Sequence, residues 1–194
     1  MPATVRYLTH PDVAIDPART PPEWRLNAVG RARMQSLAST GWPRGTAHIA
    51  SSAEPKAAQA AAILAAPLGL SVETRPRMHE NDRTSTGYLP GPEFEAMADA
   101  FFANPHVSIR GWESAADAQS RIVAEVAAFL ATCPPGDVLI VGHGAVGTLL
   151  MCHLAQIPIS RAQDQPPTQG GNVFAFERKT KTLVHRWQAA GQTP

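Results

Sequence analysis

The sequence has few cysteines, little net charge and no long hydrophobic run, and each shortage excludes a class of protein. Its two cysteines, Cys133 and Cys152, are too few for a disulfide scaffold or a cysteine zinc site, so we expect core thiols in a reducing compartment. The 17 Lys and Arg residues against 16 Asp and Glu residues leave a formal charge of +1, which argues against a strongly basic nucleic-acid binder. No apolar run reaches the roughly 18 residues that span a bilayer. We therefore expect a cytoplasmic protein with neither nucleic acid nor membrane as a partner.

The remaining composition suits a folded chain with a sizeable core. Apolar residues make up 44% of the 194 residues and charged residues 17%, which is typical of a globular protein. A chain of this length can bury a core without disulfides or metals. We predict one domain over residues 1–194, in which the polar, weakly periodic residues 76–112 form a lid or insertion over the functional site.

Strand and helix patterns alternate along the chain, which indicates an α/β fold with a mainly parallel sheet. The clearest strand is residues 137–141, since Val-Leu-Ile-Val is a continuous apolar run suited to a sheet covered on both faces. We predict the other strands at residues 5–9, 47–50, 70–75, 172–177 and 182–187, the last two as a closing hairpin. Helices are predicted from about residues 27–40, 51–67, 93–102, 114–133 and 144–157.

Polar residues at the predicted helix starts suggest caps. Asn27 is expected to cap the first helix and Ser114 the fourth, because short polar side chains accept hydrogen bonds from the free N–H groups there. Ser51 or Ser52 is expected to cap the second helix, with Pro55 in its first turn.

Two histidines directly follow predicted strands. His10 comes after the first strand and His143 after the most apolar one. In open α/β sheets, ligands bind in the crevice at the carboxyl ends of the strands. Either histidine alone has a simple structural explanation, but the two in equivalent positions predict a functional pair.

His10 and four further segments follow one another in a recognisable order. The segments are the run SSAEPKAAQAA at residues 51–61, Glu80 after the third strand, GWES at residues 111–114 and VLIVGHG at residues 138–144. Together, over about residues 5–150, they resemble the histidine phosphatase (phosphoglycerate mutase-like) superfamily. The resemblance implies the fold of that family, a three-layer α/β/α sandwich with a mainly parallel sheet.

The resemblance also implies roles for particular residues. His10 would attack the phosphorus of a phosphate monoester, Glu80 would exchange protons, and His143 would stabilise the phosphoryl oxygens. Lys56 stands where the family has an arginine, and Ser52, as a helix cap, would add N–H donors near the anion. The implied partner is a small phosphorylated substrate or inorganic phosphate, and neither a metal nor a cofactor is required.

The first motif departs from the family pattern. The family has Arg-His-Gly where this chain has Thr9, His10 and Pro11, so a cation and a backbone N–H are lost. Thr9 and Lys56 remain candidates for phosphate binding, although lysine lacks the forked geometry of arginine. Arg83, in the loop after the predicted acid, is our candidate to restore the missing charge.

These departures leave more than one function open. We favour a phosphatase acting on a small phosphorylated metabolite or on a phosphohistidine protein. A pseudophosphatase that binds phosphorylated ligands is the main alternative, since Thr9 and Pro11 weaken the pattern. A phosphoglycerate mutase-type phosphotransferase is less favoured, because the resemblance implies that mutases carry longer insertions than residues 76–112. The sequence does not decide the oligomeric state, and a homodimer is compatible with it.

Other motifs support competing hypotheses only weakly. The pattern Gly142-x-Gly144-x-x-Gly147 fits a dinucleotide fingerprint, provided that a further βα unit follows. His79-Glu80 begins a zincin pattern that lacks its second ligand, and a mixed metal site from His10, Asp12 and His143 is conceivable. Ser51 and Ser52 lack the elbow motif of an acyl-transfer serine.

Overall fold

A computed structural model describes residues 2–191 and contains six strands and five α-helices within them. The strands are β1 (Thr4–Thr9), β2 (Thr46–Ser51), β3 (Val72–Thr74), β4 (Asp137–Gly142), β5 (Asn172–Glu177) and β6 (Leu183–Ala189). The helices are α1 (Ala28–Ser39), α2 (Pro55–Ala65), α3 (Gly91–Ala103), α4 (Ala115–Thr132) and α5 (Gly144–Leu154). None of the helices in this described range is long and apolar enough to cross a membrane.

All six strands form one sheet in the order β3-β2-β4-β1-β5-β6. The first four of these are parallel to one another, whereas β5 runs antiparallel to β1 and to β6. The prediction of a mainly parallel sheet closed by a C-terminal hairpin is confirmed.

Successive side chains of the buried strands point alternately to the two faces of the sheet, and this alternation produces the three layers. On β4, Val138 and Ile140 belong to a core cluster with α3, α4 and α5, whereas Leu139 and Val141 belong to a second cluster with α1 and α2. Successive strand side chains point to opposite faces, so one apolar run covers two helical layers. This is the reason that the strand lacks any polar alternation in its sequence.

Two of the three predicted helix caps are present in the structure. Asn27 accepts a hydrogen bond from the Gly30 amide at 2.8 Å, and Ser114 from the Asp117 amide at 3.1 Å. The prediction that Ser51 or Ser52 caps α2 is wrong, because the residue before its first turn is Glu54. Strand β2 continues through Ser51, so the chain needs three more residues to turn into the helix.

The sheet brings the two predicted histidines to one edge. Thr9 and Gly142, the last residues of β1 and β4, are partners in the parallel register. The His10 amide then donates to the Gly142 carbonyl at 3.0 Å. His10 and His143 therefore leave neighbouring strands side by side.

Candidate active site

The two imidazole rings meet at the carboxyl edge of the sheet. The rings of His10 and His143 lie edge to face, with centroids 5.2 Å apart. Nδ1 of His10 lies 2.9 Å from the Pro11 carbonyl oxygen. A carbonyl only accepts, so Nδ1 carries the proton and Nε2 keeps a free lone pair.

His10 is held in its neutral form. Burial lowers its pKa to about 4, against the opposing effect of the hydrogen bond to the Pro11 carbonyl. The nearby cations Lys56 and Arg83 lower this pKa further. At pH 7 the ring therefore has the lone pair that a nucleophile needs.

His143 is fully buried and fixed through its backbone. Its backbone N–H donates to the Tyr7 hydroxyl at 3.1 Å, and that hydroxyl donates to the His143 carbonyl at 3.3 Å. A Cβ on Gly142 would come within 2.2 Å of the same hydroxyl, so glycine is required before the histidine. Within residues 2–191, neither ring nitrogen of His143 has a hydrogen-bond partner.

Glu80 points its carboxylate at the start of α5. Its Oε2 accepts from the Ala145 amide at 3.2 Å, and its Oε1 accepts from the Val146 amide at 3.0 Å. Burial raises the pKa of Glu80, although the hydrogen bond from Val146 and the charge of Arg83 act in the opposite direction. A carboxyl group with a raised pKa can hold a proton for a leaving group.

Lys56 lies at the start of α2 in a buried ion pair. Its ammonium donates to the carboxylate of Glu54 and, at 2.7 Å, to the carbonyl of Pro21. The other carboxylate oxygen of Glu54 accepts from the Glu80 amide at 2.8 Å and lies 3.5 Å from Nε2 of His143. Glu54 thus contacts three of the predicted site residues and offsets the charge of Lys56.

Arg83 lies against an aromatic ring, whereas Lys56 lies against a carboxylate. Its guanidinium stacks over the Phe94 ring at 4.8 Å. Within the described part of the chain, its side chain forms no hydrogen bond and no ion pair. Burial lowers its pKa, while the charges of Glu80 and Glu54 raise it. The positive charge of Arg83 is therefore available to a ligand.

These groups line one open cavity of about 570 Å³. His10, Lys56, Glu80, Arg83 and His143 all contribute to its wall. The remaining wall comes largely from α3 and from the loop before β5, and includes Phe94, Ala98, Phe102, Arg161, Gln165, Pro166 and Gly170. Residues of the 76–112 segment thus lie along the cavity, and their role as a lid stays a prediction.

The order of the motifs and this converging geometry agree with a comparison to protein families. Residues 18–188 match the model of the histidine phosphatase superfamily, branch 1. The chain belongs to the histidine phosphatase superfamily.

Solved structures show the same fold at low sequence identity. Mycobacterial glucosyl-3-phosphoglycerate phosphatase is 20% identical, with a TM-score of 0.76 over 97% of both chains. YhfR of Bacillus stearothermophilus is 22% identical, with a TM-score of 0.80 over 99% of this chain and 98% of the other. Mycobacterial hydrolase 1 is 19% identical, with a TM-score of 0.78 over the whole of both chains. No curated protein matches the sequence.

Two residues predicted for the site, Thr9 and Ser52, lie outside the cavity wall. The Thr9 hydroxyl is buried, where it donates to Oε1 of Gln165 at 2.8 Å and accepts from the Asn172 amide at 3.1 Å. Ser52 is also fully buried and accepts from the Glu54 amide at 3.2 Å. Both hydroxyls are engaged by the protein, so we do not place them among the phosphate ligands.

Sequence reasoning missed several residues that lie at the candidate site. Glu54 had a local signal, because an acid two residues before a buried lysine at a helix start can pair with it. Asn81 had only its position next to Glu80. Arg161 had no signal, since it lines the cavity while bound to Glu95 and Asp99 of α3, far away in sequence.

The glycine fingerprint has a packing explanation. A Cβ on Gly144 would lie 2.5 Å from Nε2 of Gln165, and one on Gly147 would lie 2.6 Å from the Tyr7 ring. Strand β4 and α5 are followed by the antiparallel hairpin, without the further βα unit that the dinucleotide hypothesis needs. That hypothesis is wrong for residues 2–191. Asp12, named for a mixed metal site, is bound by Arg33 at 2.6 Å.

Proposed function

We propose that this histidine phosphatase hydrolyses phosphate monoesters through a phosphohistidine formed at His10. The observation that supports this most directly is the contact between Nδ1 of His10 and the Pro11 carbonyl. It leaves Nε2 unprotonated on a ring that lines the cavity. A neutral imidazole with a fixed tautomer is an effective nucleophile.

The first step transfers the phosphoryl group to the protein. Nε2 of His10 forms a bond to phosphorus while the bond from phosphorus to the ester oxygen breaks. Glu80 gives its proton to the departing oxygen, so the alcohol leaves neutral and Glu80 becomes a carboxylate. The raised pKa of Glu80 supports its role as the acid.

The second step releases phosphate. A water molecule attacks phosphorus and loses a proton to the Glu80 carboxylate, while the bond between phosphorus and Nε2 of His10 breaks. Inorganic phosphate leaves, and both side chains return to their starting protonation states. Phosphoryl transfer of this kind depends mainly on positioning and on charge stabilisation.

The charge on the phosphoryl oxygens would be met by three side chains. Arg83 supplies a cation with no acidic partner among the described residues. Neutral His143 keeps one N–H without a partner. Lys56 uses two of its three N–H groups on Glu54 and Pro21, so one remains for the cavity.

The size and walls of the cavity support a small phosphorylated molecule as the substrate. A volume of about 570 Å³ lies within the range of small-ligand sites. Trp24, Phe94 and Phe102 give part of the wall an apolar surface, against which the alcohol portion of the ester can pack.

Hydrolysis of a chromogenic phosphate ester by the wild type and by His10→Ala tests the proposal. We expect the substitution to lower the turnover number by roughly 10³-fold or more, because it removes the nucleophile. His185 on β6, which is half-buried and lies outside the wall of this cavity, gives a matched control, and His185→Ala is expected to keep full activity. Rapid mixing with labelled ester should also trap an acid-labile phosphoryl group on the wild type only. Hydrolysis that survives in His10→Ala would contradict the mechanism.

A pseudophosphatase is the second candidate. The buried Thr9 hydroxyl and the pairing of Lys56 with Glu54 favour it, since both reduce the charge available to a phosphoryl group. Its signature is the absence of turnover in the wild type together with binding of inorganic phosphate in the same cavity.

A further inference from the structure

Asn81 has a buried side chain that the fold leaves unused. Only 6% of the residue is exposed, and its Nδ2 has no hydrogen-bond partner within residues 2–191. The residue lines the cavity that holds His10, Glu80 and Arg83. A buried donor without a partner destabilises a fold, so such a group at a site wall points to an acceptor on the ligand.

The backbone around Asn81 is fixed before any ligand arrives. Its amide donates to Oε1 of Glu80 at 3.1 Å. Arg121 holds the preceding residues by donating to the carbonyls of His79 and Glu80, at 3.0 and 3.3 Å. Arg121 is itself paired with Glu113 at 2.7 Å. These contacts fix the backbone of Asn81 beside the cavity, and none of them uses the NH₂ group of its side chain.

The rest of the cavity is short of donors for a phosphoryl oxygen. Lys56 is paired with Glu54, and the Thr9 hydroxyl is engaged by Gln165 and Asn172. Pro11 has no N–H to give. Among the described residues, the donors without protein partners are the third N–H of Lys56, the N–H of His143, and the side chains of Asn81 and Arg83.

We propose that the side-chain amide of Asn81 donates a hydrogen bond to an oxygen of the bound phosphoryl group, next to the guanidinium of Arg83. The inference rests on the proposed function, since it names a further binding residue of the same site. The terminal χ2 torsion of asparagine is soft, so the NH₂ group can turn toward the cavity without movement of the backbone. The ligand recognised is a tetrahedral or trigonal-bipyramidal oxyanion.

The binding role and a structural role differ in their effect on stability. Replacement of an unsatisfied buried donor by an apolar group of similar size is neutral or stabilising. Asn81→Leu should therefore fold with an undiminished urea midpoint and yet bind oxyanions poorly. An asparagine that served only the fold would show the opposite pattern.

The experiment measures the dissociation constants of orthovanadate and inorganic phosphate by calorimetry for the wild type, Asn81→Leu and Asn81→Asp. For Asn81→Leu we expect both constants to rise by about 10- to 150-fold, the range for a lost hydrogen bond to a charged group. Asn81→Asp should weaken binding at least as much, because it removes the donor and adds a negative charge beside the anion. The control Asn104→Leu replaces an exposed asparagine at the end of α3 and should leave both constants unchanged.

Several outcomes would overturn the inference. Unchanged constants in Asn81→Leu or Asn81→Asp would remove Asn81 from the oxyanion site. A rise in KM for an ester with unchanged oxyanion binding would place the side chain against the alcohol portion instead. A lowered urea midpoint in Asn81→Leu, with normal binding by folded Asn81→Asp, would assign a structural role. Oxyanion binding needs no turnover, so an inactive wild type would defeat the proposed hydrolysis and still leave this inference decided.

Discussion

The two cations at the inner wall of the cavity, Lys56 and Arg83, differ in what surrounds them. Lys56 is buried against the carboxylate of Glu54 and the carbonyl of Pro21. Arg83 rests on the face of Phe94 and has no acidic partner within 4.0 Å among the described residues. The two residues carry the same formal charge, but within the described residues only Lys56 has a carboxylate in direct contact, whereas Glu80 and Glu54 act on Arg83 from a greater distance.

This difference shows that a count of basic residues does not give the charge that a ligand meets. Two charges brought out of water are stable together only when they neutralise each other at close range. Glu54 therefore neutralises Lys56 at the start of α2, and we propose that Arg83, in the loop after Glu80, supplies the net attraction for an anion. We therefore predict that replacement of Lys56 mainly lowers the stability of the protein, whereas replacement of Arg83 mainly weakens anion binding.

The largest expected effect is on the stability of the protein when Lys56 is replaced. Lys56→Met leaves Glu54 buried without its partner, so we expect the free energy of unfolding to fall by about 3–5 kcal/mol. The double variant Glu54→Gln/Lys56→Met should recover much of that loss, because no unpaired charge remains. Urea unfolding followed by circular dichroism measures both. A single variant as stable as the wild type would show that the pair is not tightly coupled.

The next effect is on anion binding when Arg83 is replaced. Arg83→Ala should weaken the binding of inorganic phosphate by about 1.5–3 kcal/mol, the contribution of a charged hydrogen bond. Its stability should change less than that of Lys56→Met, since only the contact with Phe94 is lost. Arg19→Ala removes an exposed arginine paired with Asp16 and serves as the control. If Lys56→Met weakened phosphate binding more than Arg83→Ala, Lys56 rather than Arg83 would be the main cation for the anion.

The smallest effect concerns pH. Burial is the main cause that raises the pKa of Glu80, and the charge of Glu54 raises it further. Glu80 must be protonated to act as the acid, so the rate of the first step falls as pH rises through this pKa. Glu54→Gln removes a negative charge and should move that fall to lower pH, by less than about one unit. The pH profile of the single-turnover rate checks the direction, and a shift to higher pH would contradict it.

Much of the fold could be predicted from local patterns. The apolar run at residues 137–141 indicated a strand covered on both faces, and the structure divides it between two core clusters. Asn27 and Ser114 were recognisable as caps because capping depends on atoms within three residues. Ser52 was misassigned because the end of a strand depends on its pairing with neighbouring strands, which a local pattern does not show.

The sequence by itself determined which chemical group follows each strand: a histidine after β1, an acid after β3 and a histidine after β4. The pattern predicted that both histidines lie at the carboxyl edge of the sheet, and the pairing of β1 with β4 made them neighbours. Only the tertiary structure decided which polar groups stay free. Thr9, Lys56 and Arg83 were all candidates for phosphate binding in the sequence, and contacts with Gln165, Glu54 and Phe94 separate them. Those partners lie at unrelated distances along the chain, and whether a buried charge is neutralised depends on distances of a few ångströms in space.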